Sequence, residues 1–437
     1  MRNCVDSFET FLYRESRVES TKRVFTLEES LDGLEEDTLF HSIPSKTSAG
    51  FPMNVNGEKN LKRDYYYSEG IQKQEALVKI KGLVDDVITS ASDGKRKVWI
   101  FTDSLKDEKR PIEKVLSGNT RMFSGGPFIY LVTFRMYFGA FSLWILKNKN
   151  MNSIVSGVNP FSSEWDIIAK QLINCSGGKV GAGDYKGFDG SLNSTILYSI
   201  LGIINEWYDD GNDLIREVLW MEVINSRHIK DGTVYEWCGS LPSGHFFTLI
   251  INCIYNNIAF RYCWMSRGLP ISEFNDNVVL KVCGDDNLFA VTERYQQEFN
   301  ELTLAEDMSG IGLTYTTEFK DKAVIPFRDL TEVEFLKRSF RYENLLGRYV
   351  APLRLDVVLD IPMWTKKGAD RDKITCGNTV ESLRELSLHS PETYDEWEKP
   401  IIRSFKKYYP GSTTPHPLIQ SRSERLVSIT NDTRYFC

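Results

Sequence analysis

The chain carries its clearest structural signal at Val278-Val-Leu-Lys-Val-Cys-Gly-Asp-Asp-Asn-Leu-Phe-Ala-Val291, which predicts a β-hairpin with two acids at its tip. Val278–Cys283 and Asn287–Val291 are rich in β-branched and apolar residues, and Gly284-Asp285-Asp286 between them is typical of a tight turn. Adjacent ionised aspartates repel one another, and a tight turn leaves them little room to separate. An Asp-Asp turn seen alone is usually a solvated turn, but such a pair is also tolerated where a divalent cation neutralises it.

A further acid ends the short buried strand predicted at Val180–Asp184, in the segment Gly183-Asp-Tyr-Lys-Gly-Phe-Asp189. A strand-end acid and the acids of a hairpin tip could share two Mg²⁺ ions, because magnesium prefers one or two carboxylates together with phosphate oxygens and water. Two such ions serve nucleotidyl transfer, in which one activates an attacking 3′-hydroxyl and the other holds the triphosphate and the leaving pyrophosphate.

A polar stripe follows Leu241-Pro-Ser-Gly-His245, which we expect to open a long helix. Thr248, Asn252 and Asn256 are spaced by four residues and therefore share one face of an otherwise apolar helix. A buried polar stripe is costly unless it meets a ligand or a hydrogen-bonding partner. Asn and Ser can read a ribose 2′-hydroxyl, which both donates and accepts. The structural alternative is helix capping by Ser243 and hydrogen bonding between helices.

The remaining patterns predict a mixed α/β (α+β) chain. Further helices are predicted at Glu75–Ser90, Tyr130–Asn148, Leu192–Tyr208, Leu214–Val223 and Asn378–Leu388. A basic strand–loop region is predicted between Arg96 and Arg121, and a second hairpin at Lys230-Asp-Gly-Thr233, where Asp-Gly is a strong turn signal. The tail from Arg341 contains one convincing helix and is predicted to form a separate, mostly helical lobe.

Length and composition indicate a globular protein of two or three subdomains. The chain has 437 residues, of which 41% are hydrophobic and 26% charged. The net charge of −7 does not exclude a nucleic-acid partner, because such a partner requires a basic channel and not a basic overall surface.

The eight cysteines lack zinc-ligand spacing, which favours reduced thiols. We find no secretory signal, and the apolar stretch Met136–Leu146 is too short to span a bilayer, so we expect a soluble chain without a transmembrane segment.

The order of the short motifs resembles that of picornavirus-like (Picornavirales) viral RNA-dependent RNA polymerases. The series is TSAGFP at 47–52, KDEKRP and a later Arg at 106–121, DYKGFD at 184–189, PSG with Thr and Asn at 242–252, CGDDN at 283–287 and FLKR at 335–338. The GDD and FLKR motifs are weak singly, but six motifs in one order are specific. The resemblance implies a right-hand fold of fingers, palm and thumb, with an antiparallel palm sheet backed by helices and a mainly helical thumb. It also implies template-directed RNA synthesis that replicates the genome of a positive-strand RNA virus.

The resemblance further implies a division of the chain. Fingers are expected at 1–175, a first palm segment at 176–192, a fingers insertion at 193–238, the rest of the palm at 239–340 and the thumb at 341–437.

Individual roles follow from the same resemblance. The catalytic residues would be Asp184, Asp285, Asp286 and Lys320, of which the three aspartates would bind metal. The nucleotide-binding residues would be Lys106, Arg110, Lys114, Arg121, Asp189, Ser243, Thr248 and Asn252. The RNA-binding residues would be Thr47, Ser48, Gly244, Lys337 and Arg338. Arg121 is the leading candidate for the triphosphate because a guanidinium binds phosphate through two parallel bonds. Lys320 would protonate the leaving pyrophosphate, with Lys322 as the open alternative.

The implied cofactor is a pair of Mg²⁺ ions, for which Mn²⁺ can substitute. The implied partners are an RNA template and primer strand, nucleoside triphosphates, and a protein primer with other viral replication proteins. The implied location is the host cytoplasm, in membrane-associated replication complexes.

Two departures from the family pattern stand out. Cys283 replaces a common Tyr and is expected to pack behind the turn. Fewer residues than usual precede TSAGFP, which indicates a truncated chain, a different cleavage site or a shortened fingertip.

Two alternative functions remain open: a reverse transcriptase, and an inactive RNA-binding protein built on the same palm.

Overall fold

The computed structural model describes residues 1–55, 61–62, 65–66, 70–320, 323–365, 370–408 and 418–430. Within them the helices are α1 Arg2–Glu15, α2 Leu27–Asp32, α3 Gly70–Ser92, α4 Ile112–Leu116, α5 Phe128–Lys147, α6 Glu164–Ser176, α7 Ser194–Tyr208, α8 Asp213–Ile224, α9 Thr248–Ser266, α10 Phe274–Asn277, α11 Glu301–Ser309, α12 Leu355–Asp360, α13 Arg371–Leu386, α14 Pro391–Tyr408 and α15 Arg422–Thr430. The strands are β1 Gly33–Leu34, β2 Asp37–His41, β3 Ile100–Leu105, β4 Met122–Gly125, β5 Lys179–Tyr185, β6 Arg227–Lys230, β7 Thr233–Glu236, β8 Val278–Cys283, β9 Asp286–Val291, β10 Tyr315–Thr317, β11 Arg328–Asp329, β12 Arg341–Glu343 and β13 Arg348–Val350.

An antiparallel sheet of order β10-β5-β9-β8 carries the acidic hairpin, and β11 also pairs with β5. Helices α6, α9 and α11 pack against this sheet. Small residues in β5 let aromatic rings lie directly on the strand. A Cβ on Gly181 would lie 2.2 Å from the ring of Phe289, and one on Gly183 would lie 2.1 Å from the hydroxyl oxygen of Tyr315. Glycine at both positions therefore leaves the space that these two rings occupy.

A second sheet, of order β4-β3-β6-β7, joins strands from both predicted fingers ranges. Its four strands each contribute a side chain to a buried polar cluster around Asp103 of β3. The Ser124 hydroxyl donates to Asp103 across 2.6 Å. His228 Nδ1 lies 3.0 Å from the same carboxylate, to which the Tyr235 hydroxyl also donates. Because buried polar groups are costly without partners, this cluster fixes how the four strands face one another.

Helix α5 forms the apolar core between these elements. Among the described residues it is the one helix long and apolar enough to cross a membrane, but 83% of its most apolar window is buried inside the protein. Phe134 and Phe138 stack on it at 4.0 Å, and Phe141 packs edge-on against Trp207 of α7. The apolar stretch noted at 136–146 is therefore part of a longer core helix.

The tail is mostly helical, as predicted, but it contains more elements than the one convincing helix. Its described residues form the four helices α12 to α15 and the β12–β13 hairpin. Helix α14 accommodates Pro400 in its interior. The apolar side chains of Val358, Leu383, Tyr394 and Phe405 from α12, α13 and α14 form one buried cluster. Tertiary packing thus sustains helices whose local sequence does not signal them clearly.

The other predicted elements are confirmed, with shifted ends. The helices predicted at 75–90, 130–148, 192–208, 214–223 and 378–388 correspond to α3, α5, α7, α8 and α13, and the hairpins to β6–β7 and β8–β9. The helix expected to open at 241–245 begins later, at Thr248, because the preceding segment turns at Gly244, whose φ is 120°.

Candidate active site

Strand register brings the predicted acids to one end of the central sheet. The β5–β9 ladder pairs Gly183 with Asn287. In an antiparallel ladder the next pair outward matches Asp184 with Asp286. Asp285 stands in the two-residue turn that joins β8 to β9, after Gly284, whose φ of 70° suits glycine. The end of β5 therefore lies beside the hairpin tip, as the sequence predicted.

The electrostatics of these acids indicate crowding of negative charge. Burial raises the pKa of Asp286 to about 7, and the charges of Asp285 and Asp184 add to the shift. Burial and the charge of Asp184 also raise the pKa of Asp285. A divalent cation at this end of the sheet would relieve the repulsion and hold the carboxyls ionised.

The acids at this end of the sheet suit magnesium better than a metal ion whose ligands all come from the protein. In the part of the chain that the structure describes, no group of three or more His, Cys, Asp or Glu side chains is arranged to hold a metal ion by itself. Magnesium does not need such a cage, since it binds through one or two carboxylates plus phosphate and water. The Oδ1 atom of Asp184 accepts a 2.6 Å bond from the Tyr185 amide, which orients the carboxylate at the strand end.

Lys320 supplies a cation to this site. Its Nζ atom lies 2.6 Å from Asp184 Oδ2. The residue has a left-handed φ of 61°, and its amide donates to the carbonyl of Thr317 across 3.0 Å. This turn directs the lysine from the end of β10 back toward β5. The alternative residue, Lys322, lies outside the described residues.

Helix α9 supports the hairpin tip from behind. The Asn256 amide donates to the carbonyls of Gly284 and Asp285 across 3.3 and 3.4 Å, and its oxygen accepts from the Tyr185 hydroxyl at 2.8 Å. The Gly284 amide donates to Cys253 Sγ at 3.0 Å. Asn256 is fully buried, so its polar groups are consumed in holding the turn. The residues of the polar stripe on α9 thus have separate roles, and that of Asn256 is to hold the turn.

Asn252, one turn earlier on α9, faces Asp189. Its Nδ2 atom donates to Asp189 Oδ1 across 2.7 Å, while its own Oδ1 atom is buried without a partner. Burial raises the pKa of Asp189, although the Asn252 bond and the charges of Lys106 and Arg121 oppose the shift. An orphaned amide oxygen beside a buried carboxyl is an arrangement that a hydroxyl-bearing ligand can complete.

The basic strand–loop region presents two of its four predicted cations to this pair. The Lys106 amide donates to the Arg121 carbonyl across 2.9 Å, so the two residues extend the β3–β4 ladder side by side. Arg110 instead points to the carbonyl of Asn119 at 3.3 Å, and Lys114 lies exposed on α4. The structure therefore brings Lys106 and Arg121 toward Asp189, and leaves Arg110 and Lys114 away from it.

The loop before α9 docks on strand β4. The Ser124 amide donates to the Ser243 carbonyl across 2.8 Å, and a Cβ on Gly244 would lie 2.4 Å from the ring of Phe123. The Thr248 hydroxyl donates to the Pro242 carbonyl at 2.9 Å and is thereby committed to the loop. Sequence reasoning missed the contribution of β4, whose Phe-Ser pair carries no local signal.

A family model described as viral RNA-dependent RNA polymerase matches residues 5–409. The chain belongs to this family. The chain is 34% identical over 402 residues to the replicase polyprotein of Drosophila C virus (strain EB), an overlap that covers 87% of this chain and 23% of that protein. It is 32% identical over 397 residues to the RNA1 polyprotein of Arabis mosaic virus, with 88% and 17% covered. The chain thus spans less than a quarter of these polyproteins, whose viruses belong to Picornavirales.

A solved Sicinivirus 3Dpol RNA-dependent RNA polymerase has the same fold. The TM-score is 0.77 at 17% identity, and the match covers 98% of this chain and 86% of that one. This likeness confirms the right-hand fold that the motifs predicted, and the family match over residues 5–409 confirms the RNA-directed RNA polymerase class.

In this polymerase, the residues predicted to contact RNA differ in how far their side chains are engaged in contacts within the protein. Lys337 is exposed at the turn of the Phe335–Arg338 hairpin and contributes positive charge at Asp286. Arg338 is different, because its guanidinium donates to both carboxylate oxygens of Glu385 on α13 at 2.7 and 2.9 Å. Arg338 is thus anchored to α13, and its contact with the primer remains a prediction.

The TSAGFP segment of the polymerase is held by its own turn. The Thr47 hydroxyl donates to the Pro44 carbonyl at 2.8 Å and accepts from Lys62 Nζ at 2.6 Å. Ser48 Oγ accepts from the Gly50 amide at 3.1 Å. Both hydroxyls shape the loop, and their contact with template remains a prediction.

Proposed function

We propose that this polymerase copies an RNA template by transferring nucleotides to an RNA 3′-hydroxyl with two Mg²⁺ ions, and so replicates the genome of a positive-strand virus. The observation that carries the proposal is the approach of Asp184 to the Asp285–Asp286 turn, with the pKa of both turn acids raised. Bound there, the metal pair would activate the hydroxyl and neutralise charge on the triphosphate.

The chain's own residues would then bind and orient the nucleotide. Arg121 and Lys106, side by side at the end of the β3–β4 ladder, would hold the triphosphate. Asp189 and Asn252 would read the ribose, because the unpaired oxygen of Asn252 can accept a hydrogen bond from its 2′-hydroxyl. Ser243 would orient this pair through the loop that docks on β4. Lys320 would give the proton that the departing pyrophosphate needs.

We also propose the roles of the RNA-facing residues and the division of the chain into fingers (1–175 and 193–238), palm (176–192 and 239–340) and thumb (341–437). This division is supported by the two sheets, since strands from both fingers ranges form one sheet and strands from both palm ranges form the other. An RNA template and primer strand, a protein primer and other viral replication proteins are the proposed partners, and the cytoplasm of an infected cell is the proposed location.

Primer extension on a synthetic RNA template with Mg²⁺ tests the proposal. Asp285→Ala is expected to abolish extension while RNA binding persists, because it removes a metal ligand and no RNA contact. Asp276→Asn is the matched control, since that exposed acid lies at the opposite end of the same hairpin. Retained extension by Asp285→Ala would exclude the metal role.

The same assay separates the alternatives. A reverse transcriptase would extend with deoxynucleotides on the RNA template at least as well as with ribonucleotides. An inactive RNA-binding protein would give no extension with the unaltered chain, at any concentration of Mg²⁺ or Mn²⁺. Extension restricted to ribonucleotides supports the proposal against both.

A further inference from the structure

The edge of strand β5, which carries Asp184, has a gap that no strand among the described residues fills. Strand β10 pairs with β5 at residues 183–185, and β11 pairs with it at 179–180, so neither reaches Ala182. Ala182 lies two residues before Asp184 and is fully buried. Its amide and carbonyl on this edge need partners, because unpaired backbone groups in a protein interior are strongly unfavourable.

Two charged side chains fill this gap. The Ala182 amide donates to Glu301 Oε1 across 2.7 Å, and Arg328 Nη2 donates to the Ala182 carbonyl across 2.9 Å. The same Nη2 atom also donates to Glu301 Oε1 at 2.9 Å. Glu301 is fully buried, and the Arg328 side chain is nearly so. Arg328 and Glu301 therefore replace a missing stretch of β-ladder beside Asp184.

The other arm of Arg328 reaches the segment that carries Lys320. Arg328 Nη1 donates to Glu318 Oε1 across 2.7 Å, and Glu318 lies two residues before Lys320. The same oxygen accepts from the amide of Glu334, directly before the Phe335–Arg338 hairpin, at 3.1 Å. One guanidinium thus joins the strand of Asp184, the turn of Lys320 and the start of the hairpin that carries Lys337.

We propose that Arg328 is a positioning residue for nucleotidyl transfer, which holds Lys320 in register with Asp184 through Glu318 and the Ala182 carbonyl. The Lys320 side chain is more than half exposed, and among the described residues its ion pair is with Asp184. If substrate and metal bind at Asp184, that ion pair would be given up and the contact between Arg328 and Glu318 would remain. This inference rests on the proposed role of Lys320.

Arg328→Lys is the decisive variant. A lysine retains the charge but cannot donate in fixed directions to Glu318, Glu301 and the Ala182 carbonyl together. We expect kcat for nucleotide addition to fall about tenfold or more with KM for nucleotide within about twofold, since a well-placed general acid contributes roughly 10²–10⁴-fold. Glu318→Gln is the second variant, because it weakens the link to the Lys320 segment and leaves the Ala182 contacts in place.

Arg216→Lys controls for the loss of a buried arginine as such. Arg216 is fully buried, pairs with Asp210 at 2.5 Å and Asp213 at 3.3 Å, and donates to the Tyr137 carbonyl at 3.3 Å. It therefore has similar chemistry to Arg328, but it lies on α8, which packs against α3, α5 and α7. Equal losses of kcat in Arg216→Lys and Arg328→Lys, at equal shifts of melting temperature, would overturn the proposal.

The double variant Arg328→Lys/Lys320→Ala identifies the route. If Arg328 acts through Lys320, the double variant is no slower than Lys320→Ala alone. If the two losses multiply, Arg328 acts elsewhere and the positioning role is wrong while the Lys320 role stands. If Lys320→Ala by itself has the wild-type rate, the role of Lys320 fails, and the inference fails with it.

Discussion

The ammonium group of Lys320 lies 2.6 Å from the Oδ2 atom of Asp184, the carboxylate that strand pairing places beside Asp286. This contact joins an exposed cation to the acid expected to bind metal. It defines a resting arrangement in which the positive charge of Lys320 offsets the negative charge of Asp184.

Replacement of Lys320 tests its part in chemistry. Lys320→Ala is expected to slow nucleotide addition by about 10²-fold or more while nucleotide KM changes little, because proton donation matters in the transition state. Single-turnover rates measured by rapid quench check this. Lys322→Ala is the comparison, and a larger loss in that variant would transfer the role to Lys322.

The two asparagines of α9 give contrasting expectations. Asn252→Ala is expected to reduce the preference for ribo- over deoxynucleotides by roughly two- to tenfold, because a hydrogen bond between neutral groups is worth about 0.5–1.5 kcal/mol. Asn256→Ala is expected to lower both incorporations alike, since it releases the Gly284–Asp285 turn and meets no sugar. Competition between the two nucleotide types in primer extension distinguishes these results. Equal discrimination in Asn252→Ala and wild type would remove Asn252 from the ribose site.

The basic region also yields a paired test. Arg121→Ala is expected to raise nucleotide KM by about tenfold, since it removes a charged hydrogen bond to phosphate. Lys114→Ala is expected to change it less, because Lys114 lies exposed on α4 and does not act on Asp189. Steady-state kinetics for each variant provide the measurement. A larger effect at Lys114 would contradict this division of the four cations.

A glycine in a packed strand and a glycine on an exposed helix face should respond oppositely to substitution by alanine. Gly183→Ala is expected to lower the free energy of unfolding by about 1–3 kcal/mol, because the new methyl group would overlap Tyr315 in a packed core. Gly202→Ala is expected to raise it by about 0.5–1 kcal/mol, since nothing lies within 4 Å of that exposed helical position. Thermal and denaturant unfolding check both signs. A neutral Gly183→Ala variant would mean that Tyr315 can move aside.

The N-terminal helix α1 should dock less firmly as pH rises. Burial, together with the charges of Glu206 on α7 and Asp6 on α1, raises the pKa of Glu9 to about 7. The folded protein therefore holds a proton that the unfolded chain releases near pH 4.5. Stability is expected to decline between about pH 4.5 and 7, because fewer protons are bound in the unfolded state over that interval.

Glu9→Gln is expected to flatten this part of the stability profile, and Glu19→Gln, at an exposed position, is expected to leave it unchanged. The measurement is melting temperature against pH at constant ionic strength. Unaltered slopes in Glu9→Gln would assign the pH dependence to other groups. Tyr13, whose pKa is raised by burial and by the charge of Glu9, faces the same pair and should titrate above this range.

The hairpin and its acids could be predicted because their signals are local. Runs of β-branched and apolar residues on either side of a tight turn define β8 and β9. One further antiparallel strand is enough to bring Asp184 beside them. The helical stripe was predicted as one face, but sequence spacing does not distinguish Asn252 from Asn256, since both lie four residues apart on the same side. Which of them meets a ligand is decided by Asp189 and by the Gly284 turn, both distant in the chain.

Long-range partners explain what sequence reasoning missed. Arg338 stands in a motif expected to contact RNA, yet Glu385, 47 residues later, takes its guanidinium. Arg328 belongs to no motif, and the positioning role proposed for it follows only from the gap in β-pairing at Ala182. Phe123 and Ser124 likewise become relevant only when Gly244 and Ser243 are placed against them. Such pairings depend on tertiary structure that local patterns do not encode.

Helix α9 has a consequence for how this enzyme can change. Consecutive turns of one helix carry the amide that faces Asp189 and the amide that steadies Gly284 and Asp285. If Asn252 reads the sugar as proposed, a mutation that rotates or shifts the helix would disturb selectivity for the sugar and the position of Asp285 together. Adaptation toward altered nucleotides is therefore expected to proceed by side-chain replacement at Asn252 and not by movement of the helix.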